Sequence, residues 1–199
     1  MISVLILAGG KSSRMGFDKG FIKIDGQYLL TKTYQIATEL SDQVFIITAS
    51  DHPYQPILPN HTKFIIEPHP HQGPLVAFAY GLSFINTEWV LLLPCDLIYL
   101  HTEELKSWLQ VLSHIQPETI ALLPPHKKGW ECLCGFYRRS CLSSLQASIT
   151  SGNKSFQRWL KQEQVNPLMV NDKRVLYNCN TPQDLAEWTK DSSFGDGLG

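Results

Sequence analysis

The sequence predicts an α/β protein: a mostly parallel sheet covered by helices on both faces, in three α/β/α layers. Three observations carry that expectation. Short apolar runs alternate with helix-length segments along the chain, the pattern of parallel strands joined by crossover helices. Two of the runs, Ile2–Ala8 and Trp89–Leu93, are almost uninterruptedly apolar, as strands buried on both faces are. Finally, 199 residues, 43% of them hydrophobic, suffice for one sizeable core. We therefore expect a single domain over 1–190 and a flexible, glycine-rich tail over 191–199.

The elements follow in order. Ile2–Ala8 is the first strand and Tyr28–Leu40 the first helix. Gln43–Thr48 and Lys63–Glu67 read as further strands. Pro74–Ile85 reads as a helix with proline in its favoured first turn. Trp89–Leu93 is a central strand. Thr102–Ser113 is a helix with Thr102 as expected N-cap and two glutamates at the positive end of its dipole. Thr119–Leu123 and Glu131–Tyr137 read as strands, and Leu142–Ala147 and Phe156–Gln162 as short helices. Pro167–Val170 and Arg174–Tyr177 read as short strands, and Pro182–Thr189 as a last helix.

A net charge of −1 argues against broad binding to nucleic acid or to a membrane surface. No run is long and apolar enough to span a bilayer, and the chain enters a strand with no signal-peptide layout, so a cytoplasmic location is expected. The cysteines, Cys95, Cys132, Cys134, Cys141 and Cys179, are odd in number and are expected to be reduced, mostly buried thiols. Cys132 and Cys134, in a strand, would share one face. Their spacing is not C-x-x-C, which disfavours zinc. His69-Pro70-His71 reads as a polar loop.

The most informative stretch is Leu7-Ala8-Gly9-Gly10-Lys11-Ser12-Ser13-Arg14-Met15-Gly16-Phe17-Asp18-Lys19, which directly follows the first strand. Adjacent glycines let the backbone approach a ligand closely, and successive N–H groups in such a turn suit an anion. Arg14 and Lys19 add positive charge, and Asp18 is placed to order Lys19. A P-loop is excluded, because its first glycine would fall on Leu5. The dinucleotide fingerprint fails because Gly9 and Gly10 are adjacent. In parallel sheets ligands sit beyond the carboxyl ends of strands, and this loop lies at such an end. Asp96, closing Trp89-Val90-Leu91-Leu92-Leu93-Pro94-Cys95-Asp96, falls at the same edge. A carboxylate there suits Mg²⁺, which combines carboxylate and phosphate oxygens. Asn178 and Asn180 lie two apart in an extended segment, so their amides point one way and suit a heterocycle with mixed donors and acceptors. Arg138 and Arg139 read as surface residues.

The thirteen-residue loop resembles the signature of nucleotidyltransferases related to sugar-nucleotide pyrophosphorylases, and within them the molybdenum cofactor guanylyltransferases. Pro94-Cys95-Asp96 resembles that family's metal motif, with Ile98 where a proline is usual. Gln72-Gly73-Pro74-Leu75 resembles its G-P-L-A-G segment, with Val76-Ala77 replacing Ala-Gly. Asn178-Cys179-Asn180-Thr181-Pro182-Gln183-Asp184-Leu185 resembles N-x-N-T-P-E-D-L. The resemblance implies a Rossmann-like nucleotidyltransferase fold and transfer of GMP from GTP to molybdopterin. It implies nucleotide binding by Leu7, Ala8, Gly9, Gly10, Lys19, Gly73, Pro74, Leu75 and Asp96, with Arg14, Lys19 and Asp96 catalytic. It further implies Mg²⁺ on Asp96, a molybdopterin side at Asn178 and Asn180, and cofactor-delivery proteins or molybdoenzymes as protein partners. Two alternatives stay open: a relative that uses CTP or another phosphorylated acceptor, and a non-catalytic nucleotide-binding regulator. Gly9-Gly10, rather than Ala-Gly, favours the guanylyl branch, and retention of Arg14, Lys19 and Asp96 favours an enzyme.

Overall fold

The computed structural model describes residues 1–9, 18–51 and 53–179. Its frame is a seven-stranded sheet in the order β11-β7-β10-β6-β1-β4-β5. The strands are β1 (Ile2–Leu7), β4 (Val44–Thr48), β5 (Lys63–Ile66), β6 (Trp89–Pro94), β7 (Ala121–Leu123), β10 (Gly135–Arg138) and β11 (Val165–Pro167). All run parallel except β10, which is antiparallel to both β6 and β7. Two-residue pairs, β2 (Lys23–Ile24) with β3 (Gln27–Tyr28) and β8 (Pro125–His126) with β9 (Gly129–Trp130), form small separate ribbons.

The strand period of two divides the core. Val4, Ile6, Leu91 and Leu93 pack against Leu30, Tyr34, Leu105 and Trp108, which belong to α1 (Leu29–Thr38) and α3 (Thr102–Val111). Leu5, Val90 and Leu92 face the other way. They meet α2 (Pro74–Leu82), α4 (Leu142–Thr150) and α5 (Phe156–Leu160) through Leu75, Phe78, Leu145, Phe156 and Trp159. The three expected layers are therefore present. Among the described residues no helix is long and apolar enough to cross a membrane.

Five local expectations are corrected. The N-cap of α3 is His101, not Thr102: His101 Nδ1 accepts the Glu104 N–H at 3.3 Å, while Thr102 is buried inside the first turn. Strand β10 starts at Gly135, because Glu131 N–H donates to Pro124 O and Cys134 N–H to Glu131 O, forming a turn instead. Cys132 and Cys134 consequently do not share a strand face but belong to opposite core layers. The strand expected at Pro167–Val170 lies earlier, at β11, and Lys173–Leu176 is a 3-10 turn, capped by Asp172 accepting from Arg174 N–H at 3.0 Å. All five cysteines are free thiols. The helix expected at Pro182–Thr189 and the tail lie outside the described residues.

Glu104 ties α3 to the C-terminal segment. It is 4% exposed. Its Oε1 accepts Trp108 Nε1–H and Asn171 N–H, both at 2.8 Å, and its Oε2 accepts Asp172 N–H at 3.2 Å. Glu104→Ala orphans these donors and is expected to lower stability by about 2–4 kcal/mol in chemical denaturation. An unchanged denaturation midpoint would show that the anchor is dispensable.

Candidate active site

The site begins where two central strands end level. β1 and β6 pair with Leu7 opposite Pro94, so Ala8-Gly9 and Cys95-Asp96 leave the sheet side by side at its carboxyl rim. Cys95 N–H donates to Leu7 O at 3.3 Å, and Ala8 N–H to Ile47 O at 2.9 Å, which ties β4 to the same rim. Gly9 has φ +97°, and a Cβ there would stand 3.3 Å from Thr48 Oγ1. Gly9→Ala is accordingly expected to cost about 1–3 kcal/mol of stability, readable as a lowered thermal midpoint. Gly10 and Arg14 lie outside the described residues.

Lys19 opens a 3-10 turn, Lys19–Phe21, capped by Asp18: Asp18 Oδ1 accepts Gly20 N–H at 2.9 Å. Asp18 Oδ2 accepts the hydroxyl of Tyr54. The Tyr54 ring stacks on Phe21 at a centroid distance of 5.3 Å. Burial first, and the Asp18 carboxylate second, push the Tyr54 hydroxyl well above its ordinary range, so it stays a proton donor. From this turn Lys19 Nζ donates to Asp96 Oδ2 at 2.6 Å across 77 residues of sequence. Two of the three residues expected to be catalytic therefore meet.

Asp96 is 8% exposed, and its Oδ1 is buried with no hydrogen-bond partner among the described residues. A buried carboxylate oxygen with an open lone pair is chemically suited to a hard divalent cation. Among the described residues no cluster of three or more His, Cys, Asp or Glu could hold a metal. The neighbouring Cys95 is no nucleophile: burial, reinforced by Asp96, pushes its thiol far up.

Gly73 is the N-cap of α2 at φ +99°, with Pro74 in the first turn. Because α2 follows β5, its N-terminus starts from the same rim. The side chain of Leu75 is fully buried in the core, so only its backbone can serve a ligand. Ala77, the departure from the second glycine, also packs into that core. Ile98 fills a small cluster with Ile22, Ile24, Leu29 and Cys179, and its carbonyl accepts Lys32 Nζ at 2.6 Å. The usual proline is thus replaced by a core residue behind the rim.

Asn178 is brought to Asp96. Leu97 and Asn178 form an antiparallel bridge, Cys179 N–H donates to Asp96 O at 2.9 Å, and Ile98 N–H to Tyr177 O at 3.4 Å. Asn180 lies outside the described residues. Arg138 and Arg139 stand at the opposite end of the sheet, Arg138 pairing in register with Trp89 and its guanidinium lying 4.3 Å over that ring. Arg139 Nε donates to Ile85 O at 2.6 Å. Sequence reasoning overlooked Tyr54. The available signal was an aromatic residue inside the polar segment Ala49-Ser50-Asp51-His52-Pro53-Tyr54-Gln55.

A lysine and a carboxylate thus meet at the carboxyl rim of a mostly parallel sheet, where such folds bind their ligands. The class of protein is a nucleotidyltransferase, as the match to a family of such enzymes shows. Residues 4–167 match the MobA-like NTP transferase domain, and the chain belongs to that family. It is 46% identical over 185 residues to the "Probable molybdenum cofactor guanylyltransferase" of Nostoc sp., covering 93% of this chain and 89% of that protein. The protein of the same name from Synechococcus elongatus is 38% identical over 184 residues, covering 92% and 95%. The crystal structure of molybdopterin-guanine dinucleotide biosynthesis protein A from Archaeoglobus fulgidus shares the fold. Its TM-score is 0.76 at 21% identity, with coverage of 98% of this chain and 100% of that one.

Proposed function

We propose that this protein transfers the guanylyl group of GTP to the terminal phosphate of molybdopterin, giving the guanine dinucleotide cofactor and pyrophosphate. The observation that supports this most directly is the meeting of Lys19 and Asp96 at 2.6 Å, with Asp96 Oδ1 unpartnered among the described residues. The names of the curated relatives supply the substrates.

The chemistry asks little of a base. A phosphate monoester has a second pKa of about 6 and is largely dianionic at neutral pH. One of its oxygens forms the new bond to the α-phosphorus of GTP. The bond from α-phosphorus to the bridging oxygen breaks, and its electron pair leaves with pyrophosphate. What the protein supplies is alignment and charge neutralisation. Asp96 is the residue that would hold Mg²⁺, which would supply Lewis acidity and charge neutralisation there. Lys19 neutralises charge on the departing pyrophosphate. Arg14 forks onto phosphate oxygens. The backbone of Leu7, Ala8, Gly9 and Gly10, with Gly73, Pro74 and Leu75, lines the nucleotide. Asn178 and Asn180 offer amides to the pterin. The product would pass to cofactor-delivery proteins or molybdoenzymes in the cytoplasm.

Pyrophosphate release tests this reading. With GTP and Mg²⁺ it should require molybdopterin, stop on chelation, and fail when CTP replaces GTP. Release with CTP in preference to GTP would move the enzyme to the cytidylyl branch. Tight GTP binding with no release at all would make it a binding module.

A further inference from the structure

We propose that Tyr54 is a positioning residue for this reaction: its buried hydroxyl clamps Asp18 and so fixes the turn from which Lys19 reaches Asp96. This rests on the role given to Lys19 above. The geometry is a short relay. Tyr54 is 1% exposed and lies 36 residues from its acceptor in sequence. It is held from behind by its stack on Phe21, itself the last residue of the Lys19–Phe21 turn. Its hydroxyl donates to one Asp18 oxygen, and the other Asp18 oxygen caps the turn through Gly20 N–H at 2.9 Å. Gly20 packs closely on the tyrosine ring, since a Cβ there would lie 3.1 Å from Tyr54 Cε1. The same hydroxyl lies 3.8 Å from where a Cβ of Gly9 would sit. Tyr54 therefore holds Asp18 by a hydrogen bond and lies close to Gly9, the last described residue before the loop. Lys19 directly follows Asp18, and its ammonium ends 2.6 Å from Asp96. A flexible four-carbon side chain delivers charge reproducibly only if its backbone origin is fixed.

Tyr54→Phe keeps the ring and its stack but removes the clamp. In steady-state pyrophosphate release, kcat should fall by about ten- to a hundredfold, the range for losing a hydrogen bond to an ionised carboxylate. KM for GTP should stay within about threefold. The loss should vanish in a Lys19→Met background, because the tyrosine acts only through that lysine. Asp18→Ala removes the clamp from its other end, together with the cap on Gly20 N–H, and should lose at least as much, which keeps the test valid if Tyr54→Phe fails to fold. Full turnover in either single variant overturns the assignment, as does an equal loss from Tyr54→Phe with and without Lys19. The lysine ¹⁵N-ammonium signal gives a readout independent of turnover: Lys19 should be protected from solvent exchange in the unaltered protein and exchange freely in Tyr54→Phe. Protection equal in both overturns the clamp. If the unaltered protein releases no pyrophosphate while this protection difference persists, the guanylyl-transfer reading falls and the clamp stands.

Discussion

Asp96→Ala is expected to lower pyrophosphate release by at least about a thousandfold, the scale on which removing a principal transition-state electrostatic group acts. Two things go at once. The buried Oδ1, which has no hydrogen-bond partner among the described residues, is the oxygen that would anchor the proposed cation. Oδ2 is the acceptor that receives Lys19. Asp96→Asn separates these contributions, because its amide oxygen can still accept from lysine while the negative charge is gone. It too should be inactive if cation binding dominates. Circular dichroism should be unchanged in both variants, since Asp96 lies beyond the end of β6 rather than within it. Turnover by Asp96→Ala at the unaltered rate would remove the cation from this residue.

Lys19→Ala should depress kcat by about a hundred- to ten-thousandfold while KM for GTP moves by less than about tenfold. The asymmetry follows from when the charge is needed. Negative charge on the leaving pyrophosphate grows as the bond to α-phosphorus breaks, so a cation aimed there stabilises the transition state more than the bound nucleotide. Single-turnover release and equilibrium binding of GTP with Mg²⁺, measured side by side, check the split. A rise in KM with unchanged kcat would reduce Lys19 to a binding group.

The meeting of Lys19 and Asp96 was legible despite the 77 residues between them, because a topological rule links them: each follows the carboxyl end of a parallel strand, and β1 and β6 proved to be neighbours in register. The two core layers were legible for the same kind of reason, since the unbroken apolar runs Val4-Leu5-Ile6 and Val90-Leu91-Leu92 need cover on both faces of the sheet. The misread parts were those decided by competing local bonds. His101 and Thr102 are both able caps, and which wins depends on whether Thr102 is drawn into the buried first turn. Arg174-Val175-Leu176-Tyr177 carries the β-branched and aromatic residues of a strand, but Asp172 caps a 3-10 turn there. Tyr54 was invisible for a different reason. Nothing in its immediate surroundings announces that its hydroxyl will find Asp18, a pairing made only when the segment after β4 folds over the turn after the glycine-led loop.

The contact between Cys179 N–H and the backbone carbonyl of Asp96, beside the Leu97–Asn178 bridge, has a thermodynamic consequence. On the roles proposed above, one residue would present its carboxylate to the nucleotide and its main chain to the strap carrying Asn178. The two substrates would then share one peptide in their binding. Whichever arrived first would stiffen it, so the second would meet a framework already partly ordered. Affinity for each should rise reciprocally when the other is present, a heterotropic linkage that arises within one chain and requires no second subunit.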